Sequence, residues 1–239
     1  MSLRAVTFDC WNTLIRERDE RAARARRVDV LRRAAHDAGA PSDDATIERV
    51  YEACWQEHSR LWIAGITTGA IECARYSLCA LGVDSPELER ALERAWHAAG
   101  LEDGAQMLDG ADETLAFLAE RGVRRALVCD TGFNSAAVVR QLLANHGLLE
   151  RLEVLVFSDE AGVPKPDPHV FRLALDPLGV EPARALHVGD LRRTDVGGAR
   201  GAGMRSVRIR AAFDDPSDHP DADHVADSHA ALRALLERA

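Results

Sequence analysis

Hydrophobic and polar positions divide the chain into two regions with different periods. An apolar run near the start, residues 4–8, reads as a short strand. A long stretch rich in Ala, Arg and Glu follows, in which apolar residues recur every three to four positions. That spacing predicts helices over 17–38, 43–62, 68–81 and 86–99, with Gly39 and Gly82 as stops, Ser42 and Ser85 as N-caps, and Pro86 at the first helical position. No strand pattern interrupts these four helices. From about residue 108, helices alternate with short apolar runs: helix 111–121, strand 123–129, helix 134–145, strand 154–157, helix 168–177, strand 185–188, helix 195–202, strand 206–209 and helix 229–237. Strands that are apolar throughout and separated by helices belong to a parallel sheet covered on both faces. The isolated first strand needs the same sheet to bury it. The expected fold is α/β: a Rossmann-like parallel-sheet core from residues 1–15 and 106–239, with an α-helical cap domain, 16–105, inserted after the first strand. Ligands of open α/β sheets bind beyond the carboxyl ends of the strands, so the residues just after each strand are the ones to inspect.

Composition narrows the function classes. The chain has 239 residues, 46% of them hydrophobic, and a formal net charge of −9. It contains no apolar run of the roughly 18 to 20 residues that a membrane-spanning helix needs, and the first strand begins too early for a cleavable signal peptide. The expectation is a cytoplasmic protein with no membrane partner. An acidic balance argues against nucleic acid, whose phosphates are held by clustered cations. The Arg-rich stretch 21–33 reads as a solvated helix face. The five cysteines, Cys10, Cys54, Cys73, Cys79 and Cys129, are odd in number and show no CxxC spacing, so reduced and mostly buried thiols are expected. Lysine occurs once, at Lys165, while the other 29 basic residues are Arg. A chain that writes Arg for every other cation directs attention to the place where it kept a compact ammonium.

Four strand ends carry candidate chemistry. They are Asp9-Cys10-Trp11-Asn12-Thr13 after the first strand, Asp130-Thr131-Gly132 after 123–129, Pro164-Lys165-Pro166-Asp167-Pro168 after 154–157, and Gly189-Asp190 with Asp195 after 185–188. Together they offer a carboxylate, a hydroxyl, an ammonium and a carboxylate pair. In order and type, these loops resemble the four motifs of the haloacid dehalogenase-like superfamily of hydrolases, in the subgroup with a helical cap after the first motif. The resemblance implies that Asp9 is the nucleophile, forming a covalent aspartyl intermediate. It implies that Thr131 and the Gly132 amide hold phosphoryl oxygens and that Lys165 neutralises Asp9 and substrate. Mg²⁺ would be ligated by Asp9, Asp190 and the Trp11 carbonyl, with Asp195 ligating it or orienting a ligand. The residue chemistry runs the same way, because Asp9, Asp190 and Asp195 place about three negative charges in one crevice and need counter-charge. Hard oxygen donors in small number suit Mg²⁺. Pro164 and Pro166 restrict the backbone around Lys165, Asp167 reads as a helix N-cap, and Asn12 replaces the family's usual Gly at a position where Asn tolerates positive φ. His187 reads as a core histidine, Arg192 and Arg193 as solvated loop residues, and 214–224 as a loop with no metal-binding spacing.

One position departs from the family's phosphatases. The residue two after the nucleophile is there a second Asp, which protonates the leaving alkoxide, whereas here it is Trp11. An indole cannot do that, and losing a positioned general acid typically costs about 10² to 10⁴ in rate. Three readings stay open. The first is a Mg²⁺-dependent phosphatase of a small phosphorylated metabolite, whose missing acid comes from the cap (Glu57, His58, His97 and Glu102 are candidates) or whose substrate has a good leaving group such as an acyl or aryl phosphate. The second is a 2-haloacid dehalogenase, whose relatives carry an aromatic residue at this position but lack the metal-binding acidic pair. The third is a non-catalytic module that binds a phosphorylated ligand. A phosphonate hydrolase fits less well, because it uses a cap lysine and this cap has none. Oligomeric state cannot be read from the sequence.

Overall fold

The computed structural model describes residues 3–238. The first half runs β1 (Ala5–Phe8), β2 (Ile15–Glu17), α1 (Glu20–Asp37), α2 (Asp44–Ile63), α3 (Ala70–Ala80), α4 (Pro86–Asp103), β3 (Ala105–Met107) and α5 (Ala111–Glu120). Then follow β4 (Arg124–Cys129), α6 (Ala136–Ala144), β5 (Val154–Phe157), the single turn α7 (Ser158–Ala161), α8 (Pro168–Leu175), β6 (Ala185–Gly189), α9 (Gly197–Gly201), β7 (Arg205–Ile209), β8 (His224–Ala226) and α10 (His229–Leu236). Six strands form one sheet in the order β5-β4-β1-β6-β7-β8, and every neighbouring pair in it is parallel. This is the α/β fold that the alternation of helix and apolar strand predicts. β2 and β3 form a separate two-stranded sheet.

The chain divides into two compact units. The first holds the residues up to Arg16, Ala105–Asp130 and the chain from Leu143 onward. β1 lies at its centre, and Ala5, Val6, Thr7 and Phe8 are fully buried, as a strand covered on both faces must be. The chain leaves β1, builds β4 and β5 on one side, and then crosses to β6 on the other. That reversal puts the topological switch point at the carboxyl end of β1, where open α/β sheets bind their ligands. On one face α8 packs Val170, Phe171, Ala174 and Leu175 against Ala5, Ala126, Val128 and Val156. Gly198 allows the close approach of α9: a methyl there would stand 2.5 Å from Phe171 Cε2 and 3.1 Å from Pro166 Cα. Asp167 caps α8 by accepting a hydrogen bond from the His169 amide at 2.8 Å, and the Lys165–Pro166 peptide is cis.

The second unit comprises Glu17–Gly104 and Thr131–Leu142. Its core joins Leu31, Ile47, Tyr51, Leu78, Leu92 and Trp96 to Phe133. Trp96 meets Phe133 edge-on at a centroid distance of 5.0 Å, and its Nε1 donates to the Arg27 carbonyl at 3.0 Å.

Several local expectations change. Asp43, not Ser42, caps α2, accepting from the Thr46 amide; Ser and Asp are near-equivalent caps, so the pattern could not separate adjacent candidates. The helix expected over 195–202 opens with a wider π-type turn over Arg192–Val196. β2, β3 and β8 were not expected; each is three residues long, too short for a period of two to register. The arginines of 21–33 do not form a uniformly solvated face. Arg27 is buried, paired with Glu17 at 2.5 Å, and its guanidinium lies over the Phe133 ring, while Arg26 pairs with Asp103 at 2.6 Å. Arg side chains bury their stems and keep the charge paired, which periodicity of charge alone does not reveal.

Trp96 fills the middle of the helical unit with no exposed surface. Trp96→Ala should therefore cost about 3 to 5 kcal/mol in denaturant unfolding. Tyr76→Ala, at a side chain 39% exposed, should stay within about 0.5 kcal/mol of wild type.

Candidate active site

The carboxyl end of β1 and its neighbours position the chemistry of the first unit. The Phe8–Val188 register sets Asp9 beside Gly189, and the Asp9 amide continues the ladder by donating to the Val188 carbonyl at 2.8 Å. Asp190 follows one residue later. After Asp9 the chain turns tightly, with the Leu14 and Ile15 amides both donating to the Cys10 carbonyl. Asn12 takes φ 57° in this turn, a conformation Asn tolerates better than most residues, and its Nδ2 donates to Asp190 Oδ2 at 3.3 Å. The turn thus shapes the loop and reaches the second carboxylate.

Lys165 binds three strand ends together. Its Nζ donates to Asp9 Oδ1 at 2.5 Å and to Asp195 Oδ1 at 2.7 Å, and its backbone amide donates to Asp130 Oδ1 at 2.9 Å. Asp195 is held from every side. Oδ1 also receives His187 Nε2 at 3.1 Å, and Oδ2 receives the Leu191 amide at 2.9 Å. Because the carboxylate only accepts, His187 carries its proton on Nε2, and its Nδ1 accepts from the Thr7 hydroxyl at 2.7 Å. Gly189 makes room for this fold-back: a methyl there would lie 2.2 Å from Asp195 Cγ.

The three carboxylates are electrostatically unequal. Oxygens of Asp9, Asp190 and Asp195 lie within 4.8 Å of one another, and all three residues are buried. Two unit charges at 4.8 Å repel by about 3 to 4 kcal/mol at an effective dielectric constant of roughly 20. Burial pushes Asp9 up to about 7, an effect Lys165 only partly offsets. Burial and the charge of Asp9 push Asp190 up to about 8. Burial acts on Asp195 in the same sense, yet Lys165 and His187 together hold it below the usual carboxylate range. Burial opposes the charge on Lys165, and Asp195, Asp9 and Asp130 overcome it, so the ammonium is held charged. Burial keeps His187 neutral. One ammonium among these carboxylates leaves excess negative charge on Asp9 and Asp190. That is the donor set a hard divalent cation fits: buried, anionic and all oxygen.

The first unit therefore gathers Asp9, Lys165, Asp190 and Asp195. Trp11 is partly buried in the turn after β1 and its backbone bridges to Ile15. Thr131, buried, and Gly132 directly follow Asp130 but belong with the second unit. There a methyl on Gly132 would stand 3.3 Å from His58 Nε2. Of the other cap candidates, both Glu57 oxygens accept from Arg60 at 2.7 Å, and Glu102 is 69% exposed and paired with Arg26.

Sequence reasoning missed three supporting roles. Asp130 anchors the Lys165 backbone, and its position at the end of a strand was the available signal. The Thr7–His187–Asp195 relay joins residues 180 and 8 positions apart, which no local pattern links. Arg192 does not stand in solvent: its Nη1 donates to the Ser217 carbonyl at 2.5 Å and its amide to Asp215 at 2.7 Å. It thereby fastens the acidic 214–221 segment to the loop that carries Asp195.

The model of the haloacid dehalogenase-like hydrolases matches residues 3–203. Over its full length the chain is 31% identical to the N-acetylmuramic acid 6-phosphate phosphatase of Pseudomonas aeruginosa, covering 97% of that protein. It is 29% identical to the mouse (Mus musculus) haloacid dehalogenase-like hydrolase domain-containing protein 3, over 96% of this chain and 90% of the other. Among solved structures, a 2-haloacid dehalogenase from Pseudomonas syringae superposes with a TM-score of 0.70 at 20% identity over 99% of each chain, a likeness of fold alone. With a family model spanning most of its length and the strand-end carboxylates gathered around one lysine, this chain belongs to the haloacid dehalogenase-like hydrolases.

Proposed function

We propose that this hydrolase is a Mg²⁺-dependent phosphatase of a small phosphorylated metabolite, acting through an aspartyl-phosphate on Asp9. The observation that carries the reading is the buried cluster of Asp9, Asp190 and Asp195 around Lys165, whose negative charge one ammonium leaves uncompensated. The full-length likeness to a sugar-phosphate phosphatase supports the same substrate class. Asp9 and Asp190 would hold the cation with the Trp11 carbonyl. Asp195, its oxygens already taken by Lys165, His187 and the Leu191 amide, would orient the lysine and lie just outside the ligand set. When bound, the cation neutralises the carboxylates and polarises a phosphoryl oxygen.

The remaining steps belong to the chain's own residues. Asp9 attacks phosphorus with a carboxylate oxygen, and the bond to the leaving oxygen breaks. Lys165, fixed on Asp9 and Asp195, offsets charge on the nucleophile and on the phosphoryl group. The Thr131 hydroxyl and the Gly132 amide hold the transferring oxygens. Water then attacks phosphorus, releasing inorganic phosphate and free Asp9. Trp11 favours the dehalogenase reading, but a dehalogenase must take up a released halide, and three buried carboxylates repel one.

Three outcomes test this reading. Phosphate release from acyl, aryl and sugar phosphates should require Mg²⁺ and disappear in Asp9→Asn; turnover that survives the substitution, or halide release from 2-haloacids without metal, overturns it. Thermal unfolding tests the cation site separately. Asp9 and Asp190 have folded values above their unfolded ones, so they favour the fold below about pH 4 and that contribution is lost as pH rises toward 7 to 8. The rise in Tm on adding Mg²⁺ should accordingly be small at pH 5.5 and large at pH 8. Asp190→Asn should raise the Tm of the chelated protein, by about 2 to 4 °C per kcal/mol of relieved repulsion, and remove the response to Mg²⁺. Finally, Lys165→Arg keeps the charge but cannot place one compact cation against two carboxylates. It should lose at least about tenfold in kcat, and full activity in this variant would show that shape at this position is unimportant.

A further inference from the structure

We propose that His229 is a positioning residue of the reaction: by one hydrogen bond to the Thr13 carbonyl it fixes the turn that carries Asp9 and the Trp11 carbonyl, and through them cation affinity and turnover. This rests on the phosphatase reading above and adds a residue to it. Every group involved belongs to the sheet unit. The tie comes from outside the residues that the family model matches, 3–203, because α10 begins at His229. Thr13 follows the proposed nucleophile and the proposed carbonyl ligand within the same turn. Its carbonyl accepts from His229 Nε2 at 2.8 Å, and both residues are fully buried. The Cys10 carbonyl, which accepts from the Leu14 and Ile15 amides, and Asp190, which accepts from Asn12, hold the turn at its other points.

The imidazole is held so that it donates to Thr13. A carbonyl only accepts, so a proton lies on Nε2, and in the neutral ring Nδ1 is an acceptor. Nδ1 lies 3.1 Å from Thr114 Oγ1 of α5, and Thr114 is also fully buried. That hydroxyl has one hydrogen and a second acceptor, the Gly110 carbonyl at 2.8 Å. Arg233 resolves the competition: its Nη1 donates to the Gly110 carbonyl at 2.9 Å, which frees the hydroxyl for the ring. Burial lowers the basicity of His229, and the Arg233 charge acts in the same sense against the pull of the Thr13 carbonyl. A neutral ring protonated on Nε2 is the state these neighbours select.

The backbone leaves the ring little room to move. Ser228 caps α10 by accepting from the Ala231 amide at 3.1 Å, which places His229 at the first helical position. A methyl on Gly110 would stand 3.0 Å from His229 Cβ, so α10 lies tight against the turn before α5. A turn held at Thr13 also holds the carboxylate and the carbonyl that precede it. Removing a group that orients a ligand without touching the metal typically costs about 10- to 100-fold in metal affinity or activity.

Two measurements on each variant test the proposal: Mg²⁺ affinity by isothermal titration calorimetry, and kcat and KM for p-nitrophenyl phosphate at saturating Mg²⁺. His229→Leu, which nearly keeps the volume and removes the donor, should weaken Mg²⁺ binding and lower kcat by about 10- to 100-fold each, with KM unchanged. His229→Gln, whose side-chain amide can donate to the same carbonyl, should recover most of both. Thr114→Val keeps the imidazole but lets its proton move to Nδ1. It should lose less than His229→Leu in the same direction, and it carries the test if His229→Leu misfolds. Equal losses in the Leu and Gln variants, or a lowered Tm with Mg²⁺ affinity and kcat unchanged, overturn the role of His229 and leave the phosphatase reading intact. A wild type that hydrolyses neither this ester nor phosphorylated metabolites overturns that reading, and the Mg²⁺ titrations then decide the role of His229 by themselves. If the wild type binds no Mg²⁺ either, the proposal falls with the reading.

Discussion

A single buried ammonium organises the strand ends of the sheet unit. Lys165 is almost wholly inaccessible, yet its Nζ touches carboxylates from two strand ends and its amide is tied to a third. The ends of β1, β4 and β6 are thereby fixed relative to the segment after β5. Breaking a buried ion pair by removing one member typically costs about 3 to 5 kcal/mol, since the other is left uncompensated. In a chain that uses Arg at every other cationic position, the exception is explained by size. Two carboxylate oxygens 2.5 and 2.7 Å from one nitrogen suit an ammonium that donates in several directions from a point, whereas a planar guanidinium spreads its donors across a fork.

The same lysine makes the carboxylates unequal. Asp195 spends its oxygens on Lys165, His187 and the Leu191 amide, and these donors keep it ionised within the protein. Asp190 has the side-chain amide of Asn12 at 3.3 Å and little else to offset its burial. Asp9 shares Lys165 with Asp195, and half of an ammonium does not compensate a desolvated carboxylate. What distinguishes a ligand from an orienting group here is how many donors each carboxylate already serves. By that measure the demand for a cation falls on Asp9 and Asp190.

The alternation of apolar strands with helices made the α/β class readable, because strands buried on both faces must be apolar throughout. The loops after those strands could be located for the same reason. Elements of three residues, such as β8 with Ala226 its one buried position, carry no period and stayed hidden. Arg27 was misjudged because charge spacing identifies a helix face without saying what packs on it; the partner is Phe133, more than a hundred residues away. The chain of hydrogen bonds from Thr7 through His187 to Asp195 was invisible for a related reason. Thr7 and His187 face each other through the β1–β6 register, and register is a property of the sheet, not of either strand.

Trp11 poses the question that the strand-end motifs alone do not answer, since a carboxylate nucleophile serves both phosphoryl transfer and halide displacement. Charge separates them. On the proposed reading, a phosphate dianion entering beside three carboxylates and one ammonium would meet a region already too negative, and such a site would work only with added positive charge. A haloacid brings one carboxylate, loses a halide and has no use for a divalent ion at the reacting carbon; its binding region is better served by fewer acids than by three. The acidic pair Asp190 and Asp195 beside Asp9 is costly to maintain without a cation and has no role in displacing a halide, so its presence outweighs the indole. On that reading, what the indole changes is the source of the proton. A site that keeps its electrophilic machinery but lacks the acid beside the nucleophile must draw that proton from elsewhere in the chain or use a substrate that does not need one.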